Sequence, residues 1–167
     1  MASVPLRYGI IGTGMMGGEH IVNLAHLPDA HVVAIADPVP GSLDWGAACV
    51  GGPVDRYADH RQLLARDDLD AVVIASPNHT HVDVLRDVLA TDIAVMVEKP
   101  LCTTVDDCRE VRRLAAGREA ITWVGLEYRY MPAIATLLDQ LRTGVCGRTR
   151  MVSIREHRFP FLVKVGN

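Results

Sequence analysis

The stretch YGIIGTGMMGGEH, residues 8–20, constrains this chain more than any other. It sets Gly12-x-Gly14-x-x-Gly17 directly after an apolar run and directly before a segment with helical spacing, Ile21, Leu24, Ala25 and Leu27. In a strand–turn–helix each glycine has its own job. Gly12 allows the tight turn, Gly14 lets the backbone approach a pyrophosphate, and Gly17 lets helix and strand pack closely. The first turn of such a helix offers unpaired N–H groups and the positive end of its dipole to phosphate. Met15 and Met16 stand at that start and are counted with the loop, although core packing also explains them. Asp37 ends the next apolar run, HVVAIAD, 20 residues after Gly17. A carboxylate at that distance can accept both hydroxyls of an adenosine ribose. A plain glycine turn beside a solvated aspartate is the weaker reading, because both spacings would then be coincidence.

Short apolar runs recur along the first three quarters of the chain: YGIIG, HVVAIAD, AVVIAS, IAVMVE and ITWVG. Being continuous and not alternating, they fit strands buried on both faces of a parallel sheet. Helical spacing fills the gaps. After Ser76, HTHVDVLRDVLA puts Val82, Leu85 and Leu89 on one face. After Lys99, TVDDCREVRRLAA has Thr104 to cap and early aspartates to favour a helix N-terminus. Strand alternating with helix over this length predicts an α/β fold, a doubly wound parallel sheet of the Rossmann nucleotide-binding kind over residues 1–125. Beyond Gly125 the pattern changes. MPAIATLLDQLRTG reads as a helix with Pro132 in its first turn and Gly144 as its stop. RTRMVSIREHRF, from Arg148, reads as a strand that opens something new. Residues 126–167 are expected to begin an α+β second domain for substrate binding and oligomerisation, whose remainder is absent.

Other nucleotide chemistries fit less well. A phosphate loop of the Gly-Lys-Ser/Thr kind needs a lysine that is not there. A methyltransferase would place an acid just before Gly12, where Ile10 and Ile11 stand. A flavin can use the same glycine pattern. NAD is favoured over NADP, because the Asp37 charge repels a 2′-phosphate and no arginine lies between Arg7 and Arg56 to bind one locally. The formal net charge of −3, with no basic block, argues against nucleic acid. No apolar run approaches the ~18 residues of a membrane span, and the N-terminus lacks the layout of a signal peptide. The four cysteines, Cys49, Cys102, Cys108 and Cys146, form no Cys-x-x-Cys pair, so no metal site is expected. They read as reduced, mostly buried thiols of a cytoplasmic protein.

Ligands of open parallel sheets lie outside the carboxyl ends of the strands. Two short loops fall there: ASPNHTH, with Ser76, Pro77, Asn78, His79 and His81, and EKP, residues 98–100. Lys99 is one of only two lysines among 17 Lys and Arg residues, the other being Lys164. Unlike arginine, a lysine amine can exchange a proton near neutral pH. Codon bias explains the count as well as catalysis does; the position at a strand end favours catalysis. Glu98 can orient the amine or hold its charge.

The glycine loop, Asp37, SPNHTH and above all EKP resemble the Gfo/Idh/MocA family, the glucose–fructose oxidoreductase and inositol dehydrogenase group. The resemblance covers essentially the whole chain, as the N-terminal half of a longer protein. It implies an NAD-dependent dehydrogenase that oxidises or reduces a secondary alcohol of a sugar, cyclitol or similar polyol. Lys99 would be the active-site lysine, Asp37 the ribose ligand, and Asn78 and His79 neighbours of the cofactor. It also implies a cis bond between Lys99 and Pro100. Family enzymes carry a histidine acid/base with an acid four residues before it. None of the seven histidines here (His20, His26, His31, His60, His79, His81, His157) has one. The chain is therefore expected to bind cofactor and to be inactive alone. A non-catalytic NAD-binding sensor stays open as the alternative.

Three further features are weighed. His79-x-His81 as a metal pair lacks a third ligand and reads better as a cofactor-side loop and helix start. Arg129, between Tyr128 and Tyr130, is counted with the cofactor-binding set, while packing at the domain boundary explains it equally. The segment from Arg148 to Val165 has apolar side chains and strand edges without partners, which predicts a homo-oligomer or a poorly ordered tail.

Overall fold

The computed structural model describes residues 4–157. Six apolar or short segments pair into one sheet in the order β3-β2-β1-β4-β5-β6, every neighbouring pair parallel. The strands are β1 (Leu6–Ile11), β2 (Ala30–Ala36), β3 (Asp55–Tyr57), β4 (Ala71–Ile74), β5 (Ala94–Glu98) and β6 (Thr122–Gly125). Between them run α1 (Met15–Leu24), α2 (Pro40–Val50), α3 (His60–Leu64), α4 (His81–Leu89) and α5 (Val105–Ala115). The order doubles back at β1 and β4, so the chain leaves those two strands in opposite directions and opens a crevice between their ends.

The five apolar runs are β1, β2, β4, β5 and β6, and they are continuous because both faces are covered. On one face Ile10, Ile35 and Val73 pack with Ile21 of α1 and with Leu43 and Ala47 of α2. On the other, Ile11, Ala34, Val72, Val95 and Val97 pack with Leu63 of α3, Leu85 and Val88 of α4 and Val111 of α5. Burying one such aliphatic side chain contributes about 1.5–3 kcal/mol. The α4 face differs from the expected one: Val84, Leu85, Val88 and Leu89 are buried, with His81 at its start, while Val82 is half-buried. α5 is capped as its sequence predicts, Thr104 Oγ1 accepting from the Asp107 N–H at 3.1 Å with Asp106 and Asp107 in the first turn.

Sequence reading passes over α2, β3 and α3. β3 is a three-residue edge strand with polar composition, α3 has five residues, and α2 carries two glycines and a serine that blur its pattern. Of the four thiols only Cys102 is buried; Cys49 and Cys108 are intermediate and Cys146 is exposed.

The described chain divides into two units, the first running to Gly125 and the second beginning at Leu126. The second holds a short 3-10 turn, Glu127–Tyr130, and α6 (Pro132–Arg142), with Gly144 at φ 76° just beyond its end. The Tyr128 hydroxyl donates to Glu156 Oε1 at 2.5 Å. The strand expected from Arg148 is not formed over residues 148–157, which are exposed. A strand exists only through a partner's ladder, and among the described residues none pairs with it. The rest of that expected strand lies outside the described residues. No helix among the described residues is long and apolar enough to cross a membrane.

Candidate functional site

The loop after β1 is held by backbone. Gly12, at φ 88°, donates its N–H to Ala36 O at 2.8 Å, tying the turn to the end of β2. A Cβ there would lie 2.4 Å from the Ser76 nitrogen, so only glycine lets the loops after β1 and β4 meet. A Cβ on Gly17 would stand 2.1 Å from Gly12 O, which fixes how closely α1 follows the turn. The N-cap of α1 is Gly14, and no side chain caps it. Its first-turn N–H groups, those of Met15, Met16 and Gly17, are thus left for a ligand or water. Met15 is half-buried and Met16 is exposed.

Asp37 sits at the end of β2 with its carboxylate already oriented. Oδ2 accepts from the Thr13 N–H at 2.8 Å and Oδ1 from the Val39 N–H at 2.9 Å. Two N–H bonds use about half the lone-pair sites of a carboxylate and leave the others for hydroxyl donors. Thr13, fully buried, donates from Oγ1 to Ser42 O at 2.8 Å and so braces the same loop against α2. Asp37, Gly12, Ser76, Pro77 and His79 line one cleft of about 640 Å³. Its size, the glycine cradle and the poised carboxylate fit an adenine dinucleotide.

Arg61 lines this cleft too, and sequence reading missed it. No cation was expected near Asp37, yet the turn after β3 brings one there. Its charge is engaged, Nε lying 3.0 Å from Asp87 Oδ2 and one terminal nitrogen 3.8 Å from Asp59 Oδ2. Only foresight of β3 and α3 could have located it.

The loop after β4 separates its two histidines. His79 is exposed in the 3-10 turn Asn78–Thr80 and lines the cleft, whereas Asn78, exposed at the start of that turn, is not among the lining residues. His81, expected on the cofactor side, is fully buried and presents nothing to the cleft. Its Nδ1 lies 2.8 Å from Pro100 O and its Nε2 3.0 Å from Ser76 O, so the ring bridges the two loops that flank the crevice. The cause is the preceding turn, which rotates α4 so that its first residue faces inward.

Lys99 stands just past β5, its side chain half exposed, and the Lys99–Pro100 bond is cis. Glu98 is 7% exposed, with Oε2 accepting from the Lys99 N–H at 3.1 Å and lying 3.9 Å from Lys99 Nζ. Its other oxygen meets His20 Nε2 of α1 at 2.8 Å. Burial pushes the Glu98 carboxyl up; the His20 hydrogen bond and charge, with the Lys99 N–H and amine, outweigh it and hold it below its ordinary value. His20 was counted in the sequence but given no role. The signal was present: a polar ring one helical turn past Met16, on a helix whose first turn faces the site. Arg129 is exposed in the second unit's 3-10 turn.

The Gfo/Idh/MocA oxidoreductase family, described as having an NAD-binding Rossmann fold, matches residues 6–126. The rhizopine catabolism protein MocA of Rhizobium meliloti is 29% identical over 147 residues, 88% of this chain and 45% of that protein. Inositol 2-dehydrogenase of Rubrobacter xylanophilus is 35% identical over 150 residues, 85% of this chain and 41% of that protein. Among solved structures, myo-inositol dehydrogenase from Lactobacillus casei, in complex with NAD(H) and myo-inositol, superposes with a TM-score of 0.81 at 31% identity. The match covers 86% of this chain and 43% of that one. The chain thus spans less than half the length of the curated relatives it matches.

Proposed function

The chain belongs to the Gfo/Idh/MocA oxidoreductase family, and from that premise we propose that it is the cofactor-holding part of an NAD-dependent dehydrogenase. Its substrate would be a secondary alcohol of a polyol, of the inositol type named in its relatives. The observation that carries the reading is Asp37, a carboxylate fixed by two backbone N–H bonds at the mouth of a glycine-cradled cleft. NAD, when bound, supplies the hydride acceptor. The chain's residues bind, orient and hold charge around it. Gly12, Gly14 and Gly17 with the first turn of α1 bind pyrophosphate, and Asp37 orients the adenosine ribose. The Lys99 ammonium hydrogen-bonds the alcohol oxygen and stabilises the negative charge that builds there. Glu98 keeps that ammonium oriented. A base that takes the hydroxyl proton is assigned to the region by which the relatives exceed this chain.

Calorimetric titration with NAD and NADP tests the reading. NAD is expected to bind at least about tenfold tighter, since one 2′-phosphate beside Asp37 costs more than ~1.4 kcal/mol. Equal or reversed affinities would overturn it. With NAD and myo-inositol the chain alone is expected to produce no NADH absorbance.

We place the protein in the cytoplasm, where its free thiols stay reduced, and as a homo-oligomer. Met151, Val152 and Ile154 are exposed at 86%, 53% and 71%, and apolar groups so placed recruit a partner surface. Light scattering over a concentration series checks this; a constant monomer mass would refute it.

A further inference from the structure

The Glu98 carboxylate has two oxygens and gives each to a different element. Oε1 meets His20 Nε2 of α1 at 2.8 Å, and Oε2 meets the Lys99 N–H at 3.1 Å and lies 3.9 Å from Lys99 Nζ. Among the described residues Glu98 is the only ion-pair partner of either His20 or Lys99. The carboxylate is nearly sealed, the His20 side chain is 20% exposed and that of Lys99 49%. A buried acid thus sits between two groups that both reach water.

We propose that His20 is a positioning residue for Lys99, acting through Glu98, so that the helix starting at the phosphate loop sets the charge and orientation of the amine. This rests on the reading above, in which Lys99 faces the substrate. Oε1 can only accept, so His20 Nε2 carries a proton in either charge state of the ring. With a neutral ring the bond to Oε1 orients the carboxylate and leaves its full negative charge to the Lys99 ammonium. With a charged ring two cations share one anion, and the ammonium is held less strongly. The two protons are therefore linked through the shared carboxylate. A clamp that merely fastens α1 to β5 would hold the same geometry but carry no such linkage.

The two lysines make the linkage measurable, because Lys164 serves as an internal reference. Trace acylation with acetic anhydride, read by peptide mass spectrometry from pH 5.5 to 8.5, gives the ratio of Lys99 to Lys164 modification. In the wild-type chain this ratio is expected to fall about threefold across that window as the ring gives up its charge with rising pH. His20→Gln keeps a donor to Oε1 and should hold the fold while flattening the ratio across that window. Glu98→Gln should flatten it as well, by removing the shared anion. A His20→Gln profile superimposable on wild type overturns the proposal. So does a wild-type profile without the inflection, which decides the matter even if His20→Gln fails to fold. NAD titration is independent of this readout. If NAD binds and the inflection is missing, only the relay is lost; if the inflection is present and NAD does not bind, the relay stands and the cofactor reading falls.

Discussion

His81 and His79 stand two positions apart and have opposite fates. His79 is exposed at the cleft, while His81 is sealed in the core with a carbonyl at each ring nitrogen. Helical periodicity alone could not separate them, because the phase of α4 is set by the 3-10 turn before it. Asp37 was legible for the opposite reason: its distance from the glycine loop is fixed by one strand–helix–strand unit. The bridge made by His81 predicts a large cost for losing it. His81→Phe fills the space but leaves the carbonyl that the ring N–H serves without its donor, at a cost of about 1–3 kcal/mol. Urea unfolding should show a loss of about that size. An unchanged midpoint would mean that the ring only fills volume.

α2 was invisible in the sequence because its glycines and serine weaken the helical pattern, yet one of them, Gly46, is what lets it pack. A Cβ on Gly46 would stand 2.7 Å from Thr13 Cβ, on the side chain that braces the phosphate loop. Gly46→Ala is therefore expected to destabilise by about 1–2 kcal/mol, although in an open helix the same change stabilises by up to ~1 kcal/mol. Gly41→Ala, which meets nothing within 4 Å, is the control and should stabilise by up to ~1 kcal/mol. Thermal melts of the two variants decide between clash and propensity. β1, β3 and the turn after α3 share an ionic network that no hydrophobic pattern reports. Arg66 donates two bonds to Asp68 and one to Asp55, and Arg7 also bonds Asp68. The Arg66 hydrogen bonds, helped by Arg7, hold the Asp68 carboxyl down at about 2. A depressed carboxyl stabilises the fold above its unfolded value, near 4, and loses that contribution as pH falls from about 4 to 2. Urea midpoints of the wild-type chain should drop across that interval. Asp68→Asn should start lower at neutral pH and fall less steeply; parallel curves would count against the network.

Across the molecule, the first unit follows from its apolar runs and glycine loop, because a parallel sheet covered on both faces imposes continuous hydrophobic strands. The second unit was less legible: α6 matches its pattern, but the strand from Arg148 depended on partners that residue spacing cannot supply. The sheet order has a consequence in time. β1 is made early but flanked on one side by β4, Tyr8 pairing with Ala71, 63 positions later. At about 5–20 residues per second of synthesis, one edge of the central strand waits roughly 3–13 s for its neighbour. Nascent chains arrested before Ala71 has emerged should be cut readily by protease within residues 6–11, and chains arrested after Ile74 has emerged should resist. Equal cleavage of both would mean that something else shields the strand meanwhile. The crevice proposed for the cofactor lies at this same seam, so it opens only when β4 first reaches β1.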